Sequence, residues 1–163
     1  MDHRPELSGD TATIRARQQG VFSWRYSLRA GGELLTELSA SWIRERARFE
    51  VEGQTYHVAR VGLLRGGFQL TGPKGLVATA VKPSFLRRTF QVEWGERQLT
   101  LRALSPVSLD FGLFEGTERL GTIRSHVLLR EAILELPLEL PLELRVFLLS
   151  LVVFLWKRGV NSG

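Results

Sequence analysis

From Val146 to Trp156 the chain runs through eleven residues with a single polar side chain, Ser150. A helix over this run has no polar face, so it cannot lie on a surface. It must be enclosed, either by lipid or by its own chain. A membrane span needs about 20 apolar residues, and Glu139, Glu143 and Arg145 stand just upstream. A span from Leu138 to Trp156 would have to carry those charges to the interface. A buried strand is the third reading, which Val152-Val153-Phe154 would tolerate. A helix of about 141–157, wrapped by the protein itself, meets the fewest obstacles. Pro141 suits a first turn, where its missing N–H costs nothing. Glu143 complements the free N–H groups there. Lys157-Arg158-Gly159 places basic side chains near the last carbonyls and a glycine beyond them.

Upstream, short segments alternate with period two. Phe22, Trp24, Tyr26 and Leu28 share one parity, and Ser23, Arg25 and Ser27 the other. That is a strand with one wet face. Twelve such segments are expected, at 11–17, 21–28, 33–39, 42–51, 55–61, 68–70, 76–81, 88–94, 98–104, 108–114, 120–124 and 127–136. Gly31-Gly32, Glu52-Gly53, Gly72-Pro73-Lys74-Gly75 and Glu115-Gly116-Thr117 mark turns between them. Links this short dictate antiparallel neighbours, since parallel strands need long crossovers. Gly121 falls inside a strand pattern, which points to a bulge or a close backbone approach.

A sheet must hide one face, and this helix must hide every face. Eight strands make a barrel filled by its own side chains. Eleven or twelve leave room for a helix about 10 Å across, and closure removes both sheet edges. The fold expected is mainly β: a closed antiparallel barrel of about twelve strands enclosing a hydrophobic C-terminal α-helix. Trp24, Tyr26, Phe49, Leu101 and Phe111 should point inward, against Phe147, Leu151 and Phe154. At 163 residues, a polar lead-in over 1–10 and a single domain over 11–158 account for the chain.

In this pattern the chain resembles the tubby C-terminal-like superfamily, which includes the LURP-one-related proteins and the phospholipid scramblases. The resemblance lies in the strand meander, in Gly66-Gly67-Phe68-Gln69-Leu70, in Arg119-Leu120-Gly121-Thr122-Ile123, and in the final apolar run Phe147–Trp156. It implies a twelve-stranded barrel threaded by its last helix, and an affinity for phosphoinositides through basic side chains on the barrel wall. Scramblases carry an acidic calcium-associated segment before that helix. Here Leu136–Leu144 holds only Glu139 and Glu143, a poor oxygen set for calcium.

The residues carry no catalytic constellation. Cysteine is absent, which removes disulfides and thiolate chemistry. The histidines, His3, His57 and His126, are scattered, and Asp110 between Leu109 and Phe111 should face outward. No phosphate loop or nucleophile elbow occurs. No enzymatic activity, cofactor, metal or nucleic acid is therefore expected.

The formal net charge is +5. Residues 1–82 hold 12 basic and 8 acidic side chains, and residues 83–163 hold 10 and 9. The expected partner is anionic phospholipid or an acidic protein surface, and the expected role a binding or scaffold module. Its candidate contacts are Lys74, Lys82, Arg87 and Arg88, with Arg44, Arg46 and Arg48 as an alternative stripe whose repulsion Glu33 or Glu37 could relieve. The competing readings are a protein–protein adaptor without a lipid role, and a scramblase-like or integral membrane protein. An N-terminus without an apolar run favours a cytoplasmic site, peripheral to the inner membrane surface.

Overall fold

The computed structural model of the protein describes residues 11–20, 24–41, 43–62, 67–83, 87–126 and 130–161. Its first six strands are β1 (Thr11–Gln18), β2 (Arg25–Ala30), β3 (Glu33–Ser41), β4 (Arg46–Val51), β5 (Gln54–Val61) and β6 (Gly67–Gly72). Then come β7 (Gly75–Val81), β8 (Thr89–Trp94), β9 (Arg97–Ala103), β10 (Phe111–Glu115), β11 (Glu118–His126) and β12 (Glu131–Pro137), followed by helix α1 (Leu142–Asn161). Each strand pairs antiparallel with its sequence neighbours, and β1 pairs with β12 to close the barrel. The closing register runs from Thr11 opposite Pro137 to Arg17 opposite Glu131.

The fold is the one the alternation predicts. Tyr26, Phe49, Leu101 and Phe111 are buried, as are Phe147, Leu151 and Phe154 on the helix. The Phe154 ring stacks on Phe68 at 5.2 Å, and Phe68 meets the edge of Phe90 at 5.9 Å. Ser150, the lone polar side chain of the apolar run, donates to the Val146 carbonyl at 2.9 Å, so its burial leaves no orphan hydroxyl. The span reading of Leu138–Trp156 gives way here: the residues around the helix are the inward faces of the strands. Among the described residues no helix is long and apolar enough to cross a membrane. The wall is charged outside and apolar inside, the reverse of a channel-forming outer-membrane barrel.

Several boundaries move. Trp24 is half-buried and precedes β2 rather than lying on it. Ile43–Glu45 form a turn, with Glu45 at φ 48°, so β4 starts at Arg46. The pattern over 108–114 overreaches, because Ser108–Asp110 belong to a loop and β10 starts at Phe111. The expected strand residues 21–23, 42 and 127–129 lie outside the described residues, as does Gly66. The helix runs past Gly159 to Asn161, since one glycine costs a helix only about 1 kcal/mol.

Gly121 meets both expectations. The β10–β11 register shifts after Leu113, pairing Leu113 with Gly121 and Phe114 with Arg119. A side chain at Gly121 would also collide with the Glu135 carbonyl of β12.

Candidate functional site

Sequential antiparallel pairing sends alternate connections to opposite ends of the barrel. At the turn end lie Gly31-Gly32, Glu52-Gly53, Pro73-Lys74, Gly95-Glu96, Gly116-Thr117 and the start of α1. At the loop end lie the connections that follow β1, β3, β5, β7, β9 and β11, together with the end of α1. Trp156 Nε1 donates to the Leu109 carbonyl at 2.9 Å there, and the Lys157 Nζ stands 3.9 Å from the Trp24 ring centroid.

Charge divides along the same axis. The turn end carries Glu33, Glu52, Glu96, Glu118, Glu139 and Glu143, against Lys74, Arg97 and Arg119. At the loop end stand Arg44, Arg60, Lys82, Arg87, Arg88 and Arg130, besides Lys157 and Arg158. Each described acid there is already engaged. Glu45 receives Arg158 at 2.8 Å and Arg60 at 3.0 Å, Glu131 pairs with Arg15 at 3.0 Å, and Asp110 accepts the Ser125 N–H at 3.1 Å. The helix dipole favours acids at its start and bases at its end. That effect fades within a turn and explains Glu143 and Arg158, but neither Lys157 nor the cations on the barrel rim.

The expected contacts do not form one patch. Lys74 sits in the β6–β7 turn, at the opposite end from Lys82, Arg87 and Arg88. Burial lowers the Lys82 ammonium below the usual lysine value, and the nearby Arg158 and Arg88 guanidinium groups lower it further. Arg88 is committed to the β9–β10 loop: it donates to the carbonyls of Ser108 at 2.6 Å, Pro106 at 2.7 Å and Ser105 at 3.0 Å. Arg87 is exposed.

The alternative stripe is also divided. Arg44 lies in the β3–β4 turn, while Arg46 and Arg48 share the outer face of β4. Neither Glu33 nor Glu37 relieves them. Arg48 lies 3.7 Å from Glu50, whereas Glu37 accepts from Gln19 at 3.1 Å.

A groove of about 1090 Å³ runs down the outer wall over β1, β2 and the start of β12. Its lining includes Thr13, Arg15, Arg17, Ser27, Arg29 and Arg130. Arg15 faces Arg29 in the β1–β2 register, and like charges directly opposite are destabilising. Glu131 answers Arg15, and Arg29 donates to the Gly32 carbonyl at 3.0 Å. Arg17 and Arg130 make no ion pair among the described residues. The groove is therefore cationic and reaches the loop end through Arg17 and Arg130.

Reading the chain in halves hides this polarity, because each half feeds both ends. The legible signal is the even recurrence of glycine turns, which phases every charge to one end or the other. Among the described residues no group of three or more His, Asp or Glu stands together as a metal site. No family model, curated protein or solved structure matches the chain.

Proposed function

We propose that this chain is a non-catalytic module that docks on anionic phospholipid headgroups, peripheral to a membrane, with its loop end toward the lipid. The carrying observation is the axial charge separation: carboxylates gather at one end and cations at the other, where Arg17, Arg44, Arg87 and Arg130 make no ion pair among the described residues. The arginine groove, which runs along the wall from Gly31-Gly32 at the turn end, supports it at its loop-end mouth, where phosphate oxygens could meet Arg17 and Arg130. With α1 filling the barrel, the interior offers no substrate cleft. A closed twelve-strand barrel around a C-terminal helix is also the architecture that a tubby-like resemblance implies. We extend that resemblance to headgroup recognition as part of the same proposal.

Each basic side chain near an anionic surface contributes about 1 kcal/mol. Arg17, Arg44, Arg87 and Arg130 together would give dissociation constants near the millimolar range, steeply weakened by salt. Co-sedimentation with phosphatidylserine-containing and with pure phosphatidylcholine vesicles, at low and high salt, tests this. The expected result is binding that needs the anionic lipid, falls with salt, and weakens on Arg87→Glu with Arg130→Glu but not on Lys74→Glu. Equal behaviour on both vesicle types, or equal sensitivity to Lys74→Glu, would overturn it.

A further inference from the structure

The loop end also holds apolar side chains out in water. Val107, in the β9–β10 loop, is 92% exposed, and Ile43, in the β3–β4 turn, is 77% exposed. Val61, Val81, Leu104 and Leu109 are exposed at the same end. At the turn end the exposed large apolar side chains are Leu34, Leu76 and Leu138, set among the carboxylates.

Val107 is not exposed through slackness of its loop. Arg88 ties the carbonyls on both sides of it, those of Pro106 and Ser108, to the start of β8. The Ser108 hydroxyl accepts the Asp110 N–H at 2.9 Å, and the Leu104 N–H donates to the Asp110 carbonyl at 2.9 Å. Trp156 pins Leu109 from the helix. Polar bonds thus hold an aliphatic side chain outward at the loop end.

We propose that the loop end penetrates the bilayer: Val107 and Ile43 enter the boundary between headgroups and acyl chains, with Arg44, Arg87 and Arg130 at phosphate level. The barrel axis then stands across the membrane plane, with the acidic turn end facing away. This rests on the headgroup reading for its lipid and adds depth and orientation to it. Charge selects the occupant. Two copies meeting loop end to loop end would set like charges face to face. Separated tips on different loops suit a fluid surface that closes around each one, and apolar groups interleaved with Arg are the mark of interfacial insertion.

The chain has no cysteine, so a single introduced thiol labels uniquely. Val107→Cys, Ile43→Cys and Glu96→Cys are each labelled with a polarity-sensitive fluorophore and mixed with phosphatidylserine vesicles, with and without acyl-chain quencher lipids. Emission should shift to the blue and be quenched at positions 107 and 43 but not at 96. Unlabelled Val107→Ser with Ile43→Ser should lose on the order of tenfold in vesicle partitioning at high salt, where apolar burial dominates. Binding with all three labels still in water overturns the penetration and leaves the headgroup reading standing. Absence of binding to any vesicle overturns both. A blue shift without vesicles that grows with protein concentration identifies a second copy as the occupant and overturns the bilayer.

Discussion

The carbonyl oxygen of Glu135 occupies the space in which a side chain at Gly121 would begin. The β11–β12 ladder starts one residue later, with Thr122 opposite Glu135. A methyl at Gly121 must therefore push a backbone aside rather than a flexible side chain. Gly121→Ala should cost about 3 kcal/mol, at the upper end of overpacking penalties. Gly53→Ala, which meets open space at φ 73°, should cost about 1 kcal/mol from backbone strain alone. Urea denaturation of the two variants checks this, and equal costs would refute the close approach.

Phe154 fixes the helix to the wall through its stack on Phe68. Both rings are at most 2% exposed, so truncation opens a void that rigid strands cannot collapse into. Phe154→Ala should destabilise by about 3–5 kcal/mol, and Leu151→Ala by about 2–5 kcal/mol. Removing the chain from Glu143 onward would leave the inward face of every strand without a partner. That truncated chain should aggregate, and a cooperative thermal transition in it would contradict the helix as the barrel's core.

Burial pushes the Tyr26 phenol from its ordinary 10.0 up to about 12. The folded state holds this proton more tightly than the unfolded chain. Its stabilising effect is complete below pH 10 and is lost as pH rises through about 12. The loss should approach 2–3 kcal/mol. Tyr26→Phe should flatten the alkaline fall in urea midpoint across that window. Tyr56 is also pushed up, by burial first and then by Glu143 and Glu52, so a smaller slope should remain. An unchanged slope in Tyr26→Phe would show that the phenol titrates freely.

Arg88 bridges three carbonyls of one loop from two separate nitrogens, Nη1 to Ser108 and Nη2 to Ser105 and Pro106, a spread that the single nitrogen of an ammonium does not reproduce. Arg88→Ala should cost about 2 kcal/mol and speed amide exchange at Leu104 and Ser108, whose N–H groups bond within that loop. Arg88→Lys should not restore protection. If exchange stays slow in both variants, the loop is held by Asp110 and Trp156 without it.

Period two from Thr11 and an all-round apolar run at the end were enough to determine a closed barrel with a helix inside. Both are statements about which faces must avoid water, and side-chain order alone expresses them. Gly121 was legible for the same reason, since a missing side chain in a strand records a crowded backbone. The loop edges were not. Ser108-Leu109-Asp110 alternates like a strand, yet Arg88, twenty residues upstream of Ser108, makes it a loop.

The candidate contacts show the same division. Lys74, Lys82, Arg87 and Arg88 look like neighbours along the chain, but β7 carries Lys74 to the far end, and Arg88 is spent on carbonyls. Arg130 lies more than a hundred residues from Arg15, Arg17 and Arg29, yet all four line one groove because β1 pairs with both β2 and β12. The sequence determines what each residue can do and which face of its strand it takes, because those depend on local alternation. Which charges and apolar tips meet at one end depends on how the antiparallel turns fold the chain back and on where β1 closes with β12, and only the tertiary structure decides that.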